Sequence, residues 1–179
     1  MQCWARTTSA DNCRVTDDSR ILDPRVREAL DAAGVEYEVL ACAPELADTA
    51  DFCAHYDIPP ANACNTIVIV AKTTPKRYAA CLVAADTKLD VNHKVSALMG
   101  TKRLSFASSD ETAELTGMLI GGVTLPGLPS ELPIYIDNRV LTLDYAILGG
   151  GNRSSKIRVA PRELAKLPNA QFVDIANPR

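Results

Sequence analysis

Residues 117–129 read Gly117-Met-Leu-Ile-Gly-Gly-Val-Thr-Leu-Pro-Gly-Leu-Pro129 and lie between two strongly patterned halves of the chain. Glycine permits backbone angles that a Cβ forbids and proline fixes φ, so the stretch predicts a stiff loop. Bare backbone N–H groups in such a loop can hold a carbonyl or a developing oxyanion. The alternative is an ordinary structural turn between strands, for which glycine and proline are the usual residues.

The patterns on either side of this loop predict alternating helices and strands. Asp23-Pro24 predicts a helix start, and Ser108 with Glu111 forms a capping box for the helix that leads into the loop. The β-branched run at residues 66–71 predicts a buried central strand with a hairpin partner at residues 78–84. Further helices are predicted over residues 47–57, over 90–100 with Val91, Val95 and Leu98 inward, and from Pro161. Further strands are predicted over residues 35–39, 102–107, 133–137, 145–148, 156–160 and 170–176.

This mixture of hairpins and crossovers predicts one α/β or α+β domain over residues 21–179, with a mixed, strongly curved sheet. Residues 1–20 show neither a helical nor a strand period, which indicates a flexible N-terminal leader. The length of 179 residues, with 47% hydrophobic and 23% charged, fits one ordinary globular domain.

Charge is distributed unevenly along the chain. Residues 1–60 carry five Arg and Lys against twelve Asp and Glu, and residues 61–179 carry fourteen against ten. The second part is therefore the candidate nucleic-acid side. Its modest positive excess fits a partner that presents a short end of nucleic acid rather than a long phosphate backbone.

Several classes of protein are disfavoured by the sequence. The six cysteines form no C-x-x-C pair, and neither His55 nor His93 has a carboxylate or nucleophile at a characteristic spacing. No metal site is therefore expected. No apolar run approaches a membrane span and no signal-peptide core is evident, which predicts reduced thiols in a cytoplasmic protein without a membrane partner. No cofactor is expected, because the chain lacks a P-loop and a G-x-G-x-x-G motif.

A second glycine-rich loop follows at Gly149-Gly-Gly-Asn-Arg-Ser-Ser-Lys156. It lacks the G-K-[ST] ending of a phosphate-binding P-loop, and a strand rather than a helix is predicted after it. Two glycine-rich loops in the positive part of the chain nevertheless suggest one pocket lined by backbone donors.

The order of elements, with Thr66-Ile-Val-Ile-Val, Leu115-Thr-Gly-Met, the two glycine-rich loops and Asp137 at a strand end, resembles the YbaK/ProX family. That family comprises aminoacyl-tRNA deacylases and the editing domains of prolyl-tRNA synthetases. The resemblance implies a barrel-like curved mixed sheet surrounded by helices. It also implies a hydrolase of translation fidelity that edits in trans, by cleaving the ester of mischarged tRNA.

The resemblance further implies where the substrate lies. The aminoacyl-tRNA 3′ end would enter a cleft, and a water positioned with help from the substrate's ribose hydroxyl would attack the ester. The residues implied to line the site are Gly121, Gly122, Thr124, Gly149, Gly150, Gly151 and Lys156. The cations implied to meet acceptor-end phosphates are Arg153, Lys156, Arg158 and Lys76.

The sequence departs from the family pattern at the site itself. Asn65 stands where many members have a lysine, and Lys156 stands where bacterial stand-alone enzymes often have an acid. Asparagine carries no charge and cannot act as a base. Two hypotheses follow: a deacylase whose mechanism tolerates Asn65, or a non-catalytic module that recognises an aminoacyl-tRNA end or a nucleotide-like ligand.

Overall fold

The computed structural model describes residues 15–16 and 18–179, which form a mixed α/β fold. The strands are β1 (Val15–Thr16), β2 (Tyr37–Ala41), β3 (Cys64–Ala71), β4 (Arg77–Ala84), β5 (Thr87–Leu89), β6 (Leu104–Phe106), β7 (Ile134–Asp137), β8 (Ala146–Gly149), β9 (Ser155–Val159), β10 (Ala170–Val173) and β11 (Ala176–Pro178). The α-helices are α1 (Pro24–Ala32), α2 (Thr49–Tyr56), α3 (Ser96–Met99) and α4 (Ser109–Thr116). Short 3₁₀ segments cover Ser19–Ile21, Pro44–Leu46, Asn138–Thr142 and Pro161–Lys166.

Two sheets carry the fold. One is antiparallel with the order β1-β2-β9-β8, and the other is mixed with the order β10-β7-β4-β3-β6, in which β7 runs parallel to both β4 and β10. A parallel bridge between Ala63 and Ile147 joins the start of β3 to β8. The predicted mixed α/β fold class is confirmed, and its strands are divided between these two sheets and a third that β5 and β11 form.

The core lies between the inner faces of these sheets and the helices. Val26 and Leu30 of α1 pack in one buried cluster with Leu82, Leu148 and Ile157 from both sheets. A separate cluster buries α2 through Phe52 and Tyr56 against Leu40 and Ile147. This second cluster fixes the start of α2 beside the junction of β3 and β8.

Local sequence signals were accurate where they were strongest. The Asp23 side chain accepts a hydrogen bond from the Arg25 N–H at the start of α1, and both bonds of the Ser108–Glu111 capping box are present. The predicted hairpin is formed by β3 and β4 over their full lengths.

Three predictions of secondary structure were wrong in detail. The strand predicted over residues 35–39 begins at Tyr37, because Val35 still bonds back to Leu30 at the end of α1. The helix predicted from Pro161 is a 3₁₀ segment. The strand predicted over residues 170–176 divides into β10 and β11, which belong to different sheets.

The predicted inner face of the helix over residues 90–100 was also wrong at Leu98, which is 39% exposed. Residues Val91–Val95 form a π-helical turn, closed by a bond from the Val95 N–H to the Asp90 carbonyl, before α3 begins. A π turn takes one more residue than an α turn and therefore rotates the following side chains. Val95 and Met99 become the buried pair instead.

The predicted leader, residues 1–20, lies largely outside the described residues. Its described part includes β1, which pairs with β2, and the beginning of the Ser19–Ile21 turn. Of the cysteines, Cys42, Cys53, Cys64 and Cys81 are buried free thiols, and Cys3 and Cys13 fall outside the described residues.

Asp137, at the end of β7, binds the segment that connects β10 to β11. Its carboxylate is 1% exposed and accepts bonds from the Ile175 and Ala176 N–H groups, at 3.0 and 2.8 Å. Asp137 thereby holds the chain that passes from β10 to β11.

Candidate functional site

A cleft of about 360 Å³ lies where the start of β3, the start of α2 and the two glycine-rich loops meet. Its lining residues come from all four segments and are Asp48, Thr49, Cys64, Asn65, Thr66, Ile67, Ile120, Gly121, Val123, Gly149 and Lys156. Four of the eight predicted site residues therefore share one cleft: Asn65, Gly121, Gly149 and Lys156.

The two glycine-rich loops meet backbone to backbone. The Gly151 N–H donates to the Gly122 carbonyl at 2.8 Å. A Cβ on Gly122 would lie 2.7 Å from the Asn152 nitrogen, and one on Gly149 would lie 2.7 Å from the Val123 oxygen. Such approaches are shorter than van der Waals contact, so glycine at these two positions is required by the contact between the loops.

The backbone donors of these loops are partly used inside the protein. The Gly122 N–H donates to Leu119, the Gly150 N–H to Ser155 and the Gly151 N–H to Gly122, at 2.9, 3.1 and 2.8 Å. These three groups hold the loops in shape instead of facing the cleft. The Gly121 N–H has no acceptor among the residues that the structure describes and belongs to a cleft-lining residue.

Thr124 follows the cleft-lining Val123 but does not itself line the cleft. It is fully buried, and its hydroxyl has no hydrogen-bond partner among residues 15–16 and 18–179. Gly150 and Gly151 likewise do not line the cleft, since a Cβ on Gly151 would meet Asp23 and Val26 of the α1 segment.

Asn65 is held by the start of α2. The Thr49 hydroxyl donates to Asn65 Oδ1 at 2.5 Å, so the amide nitrogen of Asn65 is left for a ligand. No acceptor for that nitrogen lies within reach among the described residues.

The edge of β3 is open beside Asn65. β6 covers β3 only from Ile69 onward, and the Val68 carbonyl still accepts from the Ala107 N–H at 2.9 Å. Because alternate residues of a strand point their backbone groups to the same edge, the N–H and C=O of Thr66 face the cleft side. The Thr66 hydroxyl is also buried without a partner in the described chain.

Lys156 reaches the cleft from β9 and lines it together with Asn65 of β3. It is 6% exposed, and its ammonium donates to the Ala47 carbonyl at 2.6 Å and to the Gly121 carbonyl at 2.9 Å. The ring of Phe52 lies beneath, with its centroid 5.5 Å from Nζ. Burial lowers the pKa of Lys156 from its ordinary value, because desolvation penalises the charged form.

The other cations suggested for phosphates bind protein groups. Arg153 donates to Asp48 Oδ1 and to the Ile120 carbonyl, at 3.2 and 3.0 Å, and so spans the mouth of the cleft. Arg158 pairs with Glu38 at 3.3 Å, and Lys76 pairs with Glu111 at 2.7 Å on another part of the surface. Arg153 and Lys156 therefore connect the start of α2 to the first glycine-rich loop. Lys76 lies outside the cleft lining.

A second cleft of about 370 Å³ lies at the start of β4 and contains none of the predicted site residues. Its lining is largely apolar, with Leu98, Met99 and Tyr135, and the Arg77 guanidinium donates to the Met99 carbonyl at 2.8 Å. The β3 cleft contains Asn65, Lys156 and glycines of both glycine-rich loops and is therefore the stronger candidate for ester chemistry.

The described residues contain neither a metal-binding cluster nor a membrane-spanning helix. Among the residues that the structure describes, no three His, Cys, Asp or Glu side chains come together in a way that would hold a metal ion. Within the same residues, no helix has both the length and the apolar character needed to cross a bilayer.

The sequence model of the aminoacyl-tRNA editing domain matches residues 43–167, which is more than half of the chain. The chain belongs to this family. Both glycine-rich loops, Asn65 and Lys156 lie inside the matched region of the editing domain. The predicted resemblance is thereby confirmed.

Individual members of the family agree with this assignment. Over 110 residues the chain is 26% identical to EbsC of Enterococcus faecalis, which is described as a candidate Cys-tRNA(Pro)/Cys-tRNA(Cys) deacylase. That match covers 62% of this chain and 65% of EbsC, just under two thirds of the relative.

Solved structures give the same fold. A candidate trans-editing enzyme for prolyl-tRNA synthetase superposes with a TM-score of 0.75 and 26% identity, over 92% of this chain and 99% of the other. The hypothetical protein APE2540 superposes with a TM-score of 0.77 over 86% of this chain and 99% of its own, and its 24% identity supports the fold alone.

Three contributors to the editing-domain cleft were missed at the level of sequence. The sequence assigned Asp48, Thr49 and Phe52 only to the helix predicted over residues 47–57. Asp48 is the N-cap by position, but its carboxylate accepts from Arg153 and makes no capping bond. No local signal marks these residues, because their cleft partners are 16 to 105 positions away in sequence.

Proposed function

We propose that this editing domain hydrolyses the ester of a mischarged aminoacyl-tRNA in trans. The observation that carries the proposal is the donor-lined cleft at the junction of the two glycine-rich loops, with Asn65 and Lys156 in one lining. Membership of the aminoacyl-tRNA editing family supports the same reaction class. The proposed substrate segment is the aminoacylated 3′ end of tRNA, and the proposed products are the free amino acid and the deacylated tRNA.

The proposed reaction is the hydrolysis of an ester by water. A water oxygen bonds to the ester carbonyl carbon, the bond from that carbon to the ribose oxygen breaks, and a water proton ends on the ribose oxygen. In this proposal the Gly121 N–H and the Asn65 amide, which belong to cleft-lining residues, bind the carbonyl oxygen as negative charge develops on it. The ribose hydroxyl adjacent to the ester orients the water, since asparagine cannot serve as a base.

Editing of this kind has a physical rationale. A synthetase pocket gains only about 1–3 kcal/mol of discrimination from one methylene, so a second hydrolytic site is needed for near-isosteric amino acids. The apolar part of the cleft, formed by Ile67, Ile120 and Val123, is the proposed surface for the amino acid side chain.

The test is a panel of mischarged tRNAs, including Cys-tRNA(Pro), incubated with the purified protein while release of the amino acid is followed over multiple turnovers. We expect release from at least one member. Binding of the tRNA end without release from any member would instead favour the non-catalytic module.

Asn65 is the informative position within this panel. We propose that Asn65 is adapted to its site, because Thr49 orients its amide and Lys156 already places an ammonium in the same lining. Asn65→Lys would put two like charges in one cleft, so we expect slower release or a changed preference for the amino acid. Faster release by Asn65→Lys across the whole panel would show that Asn65 is a degraded lysine position.

A further inference from the structure

The Lys156 ammonium is an unusual group for a protein interior. Lysine is almost never fully buried unless it is paired, and Lys156 is 6% exposed. Its two protein partners are the Ala47 and Gly121 carbonyls, which are neutral. No carboxylate of the described residues forms an ion pair with it.

The groups around Lys156 do not compensate its charge. The titratable groups that act electrostatically on it are the Cys42 thiol just after β2, the Cys53 thiol and Asp48 carboxylate of the α2 segment, and the Arg153 guanidinium. The Asp48 carboxylate is engaged by Arg153 at 3.2 Å, and burial raises the pKa of both thiols, which keeps them neutral. The ammonium therefore leaves net positive potential in the cleft.

The geometry leaves one N–H of the ammonium unused by hydrogen bonds to the protein. An ammonium has three N–H donors, and two of them are directed to Ala47 and Gly121. Those two bonds also fix Nζ against the first glycine-rich loop, in the same cleft lining as Gly121.

We propose that Lys156 is a catalytic residue of this cleft, whose third N–H binds the electron-rich oxygen of the acyl group and stabilises the oxyanion formed when water attacks. This inference rests on the proposed esterase function and assigns the charge stabilisation to a side chain of β9. No proton leaves the ammonium in this step, since it acts as a fixed charge and hydrogen-bond donor. A cation buried without a counter-ion is preorganised for negative charge that appears only in the transition state.

The kinetic test compares wild type with Lys156→Met and Lys156→Arg. Removal of one oxyanion donor lowers kcat by about 10²–10³-fold in well-studied cases, and we expect that loss in Lys156→Met with KM changed less than about threefold. Lys156→Arg keeps a charged donor and should retain part of kcat. The matched control is Lys166→Met, because Lys166 also donates to a backbone carbonyl, that of Gly34, but lies outside the cleft lining.

A pH profile separates this role from a purely structural one. A donor that must stay protonated makes kcat/KM fall as pH rises through the pKa of Lys156, which is lowered from the ordinary value of 10.5. That limb should move to higher pH in Lys156→Arg, because the guanidinium remains charged. Folded Lys156→Met with kcat within threefold of wild type would overturn the proposal.

A binding measurement keeps the inference testable without turnover. The probe is an adenosine aminoalkylphosphonate ester, whose tetrahedral anionic phosphorus resembles the intermediate. We expect Lys156→Met to bind it about 10- to 100-fold more weakly than wild type, while thermal denaturation confirms that the variant is folded. Should wild type release no amino acid from any tRNA, the proposed function fails, and this binding comparison still decides the role of Lys156. Equal binding by both proteins, or no binding by wild type, contradicts it.

Discussion

Gly149→Ala tests whether contact between the two glycine-rich loops shapes the cleft. Gly149 needs no left-handed φ, so the substitution adds only a methyl group. That methyl would overlap the Gly122 carbonyl oxygen, its nearest neighbour, and would also lie 2.7 Å from the Val123 oxygen, whereas ordinary contact begins near 3.4 Å. The first loop must therefore retreat by at least about 0.7 Å.

The size of the effect follows from this displacement. Overpacking of a tight contact costs about 1–3 kcal/mol, which lowers Tm by roughly 2–12 °C for a domain of this length. A misplacement of about 1 Å in an active site can reduce the rate by about 10²-fold, so we expect kcat/KM to fall at least about tenfold. Urea unfolding gives the free energy, and amino acid release from the best member of the tRNA panel gives the rate.

Gly34→Ala is the matched control for this substitution. Gly34 lies after α1 with a φ of +63° and nothing within 4 Å of an added Cβ, so alanine there introduces backbone strain without overlap. We expect a destabilisation of about 1–2 kcal/mol and an unchanged kcat/KM. The reasoning is refuted if Gly149→Ala loses stability but keeps its kcat/KM within twofold of wild type.

Two further predictions concern the scaffold. Asp137→Ala should lower the free energy of unfolding by about 2–6 kcal/mol in urea titrations, since it orphans the buried Ile175 and Ala176 N–H groups at about 1–3 kcal/mol each. Glu111 has a pKa of about 2, below its ordinary 4.5, mainly because its side chain bonds to Lys76. Its stabilising contribution is thus complete above the ordinary value and lost as pH falls toward 2, so wild type should lose stability over that window more steeply than Glu111→Gln.

Each of these predictions has its own check. For Asp137, the comparison is Asp174→Ala, whose carboxylate is 62% exposed and should matter by less than about 1 kcal/mol. An Asp137→Ala protein as stable as Asp174→Ala would contradict the role of the buried carboxylate. For Glu111, parallel pH dependences in wild type and Glu111→Gln would show that the bond to Lys76 does not contribute to stability.

The sequence by itself determined the elements whose signals are local. Asp23-Pro24 set the start of α1, the Ser108–Glu111 pair set the start of α4, and the β-branched run at β3 set the central hairpin. These features depend on residues within one turn of helix or on the alternation of one strand, so they can be recognised without the rest of the molecule. The family motifs in the two glycine-rich loops belong to the same category.

Only the tertiary structure decided what the loop at residues 117–129 does. Its Gly122 accepts a bond from Gly151 of the second loop, and its Gly121 carbonyl is held by Lys156, 35 positions away in sequence. Several glycines expected to offer N–H groups to a substrate instead allow the loops to touch. Contacts between such distant segments depend on how the sheets curve and pack, and no local pattern encodes them. For the same reason, the burial of the Lys156 ammonium and the bond from Thr49 to Asn65 emerged only from the folded chain.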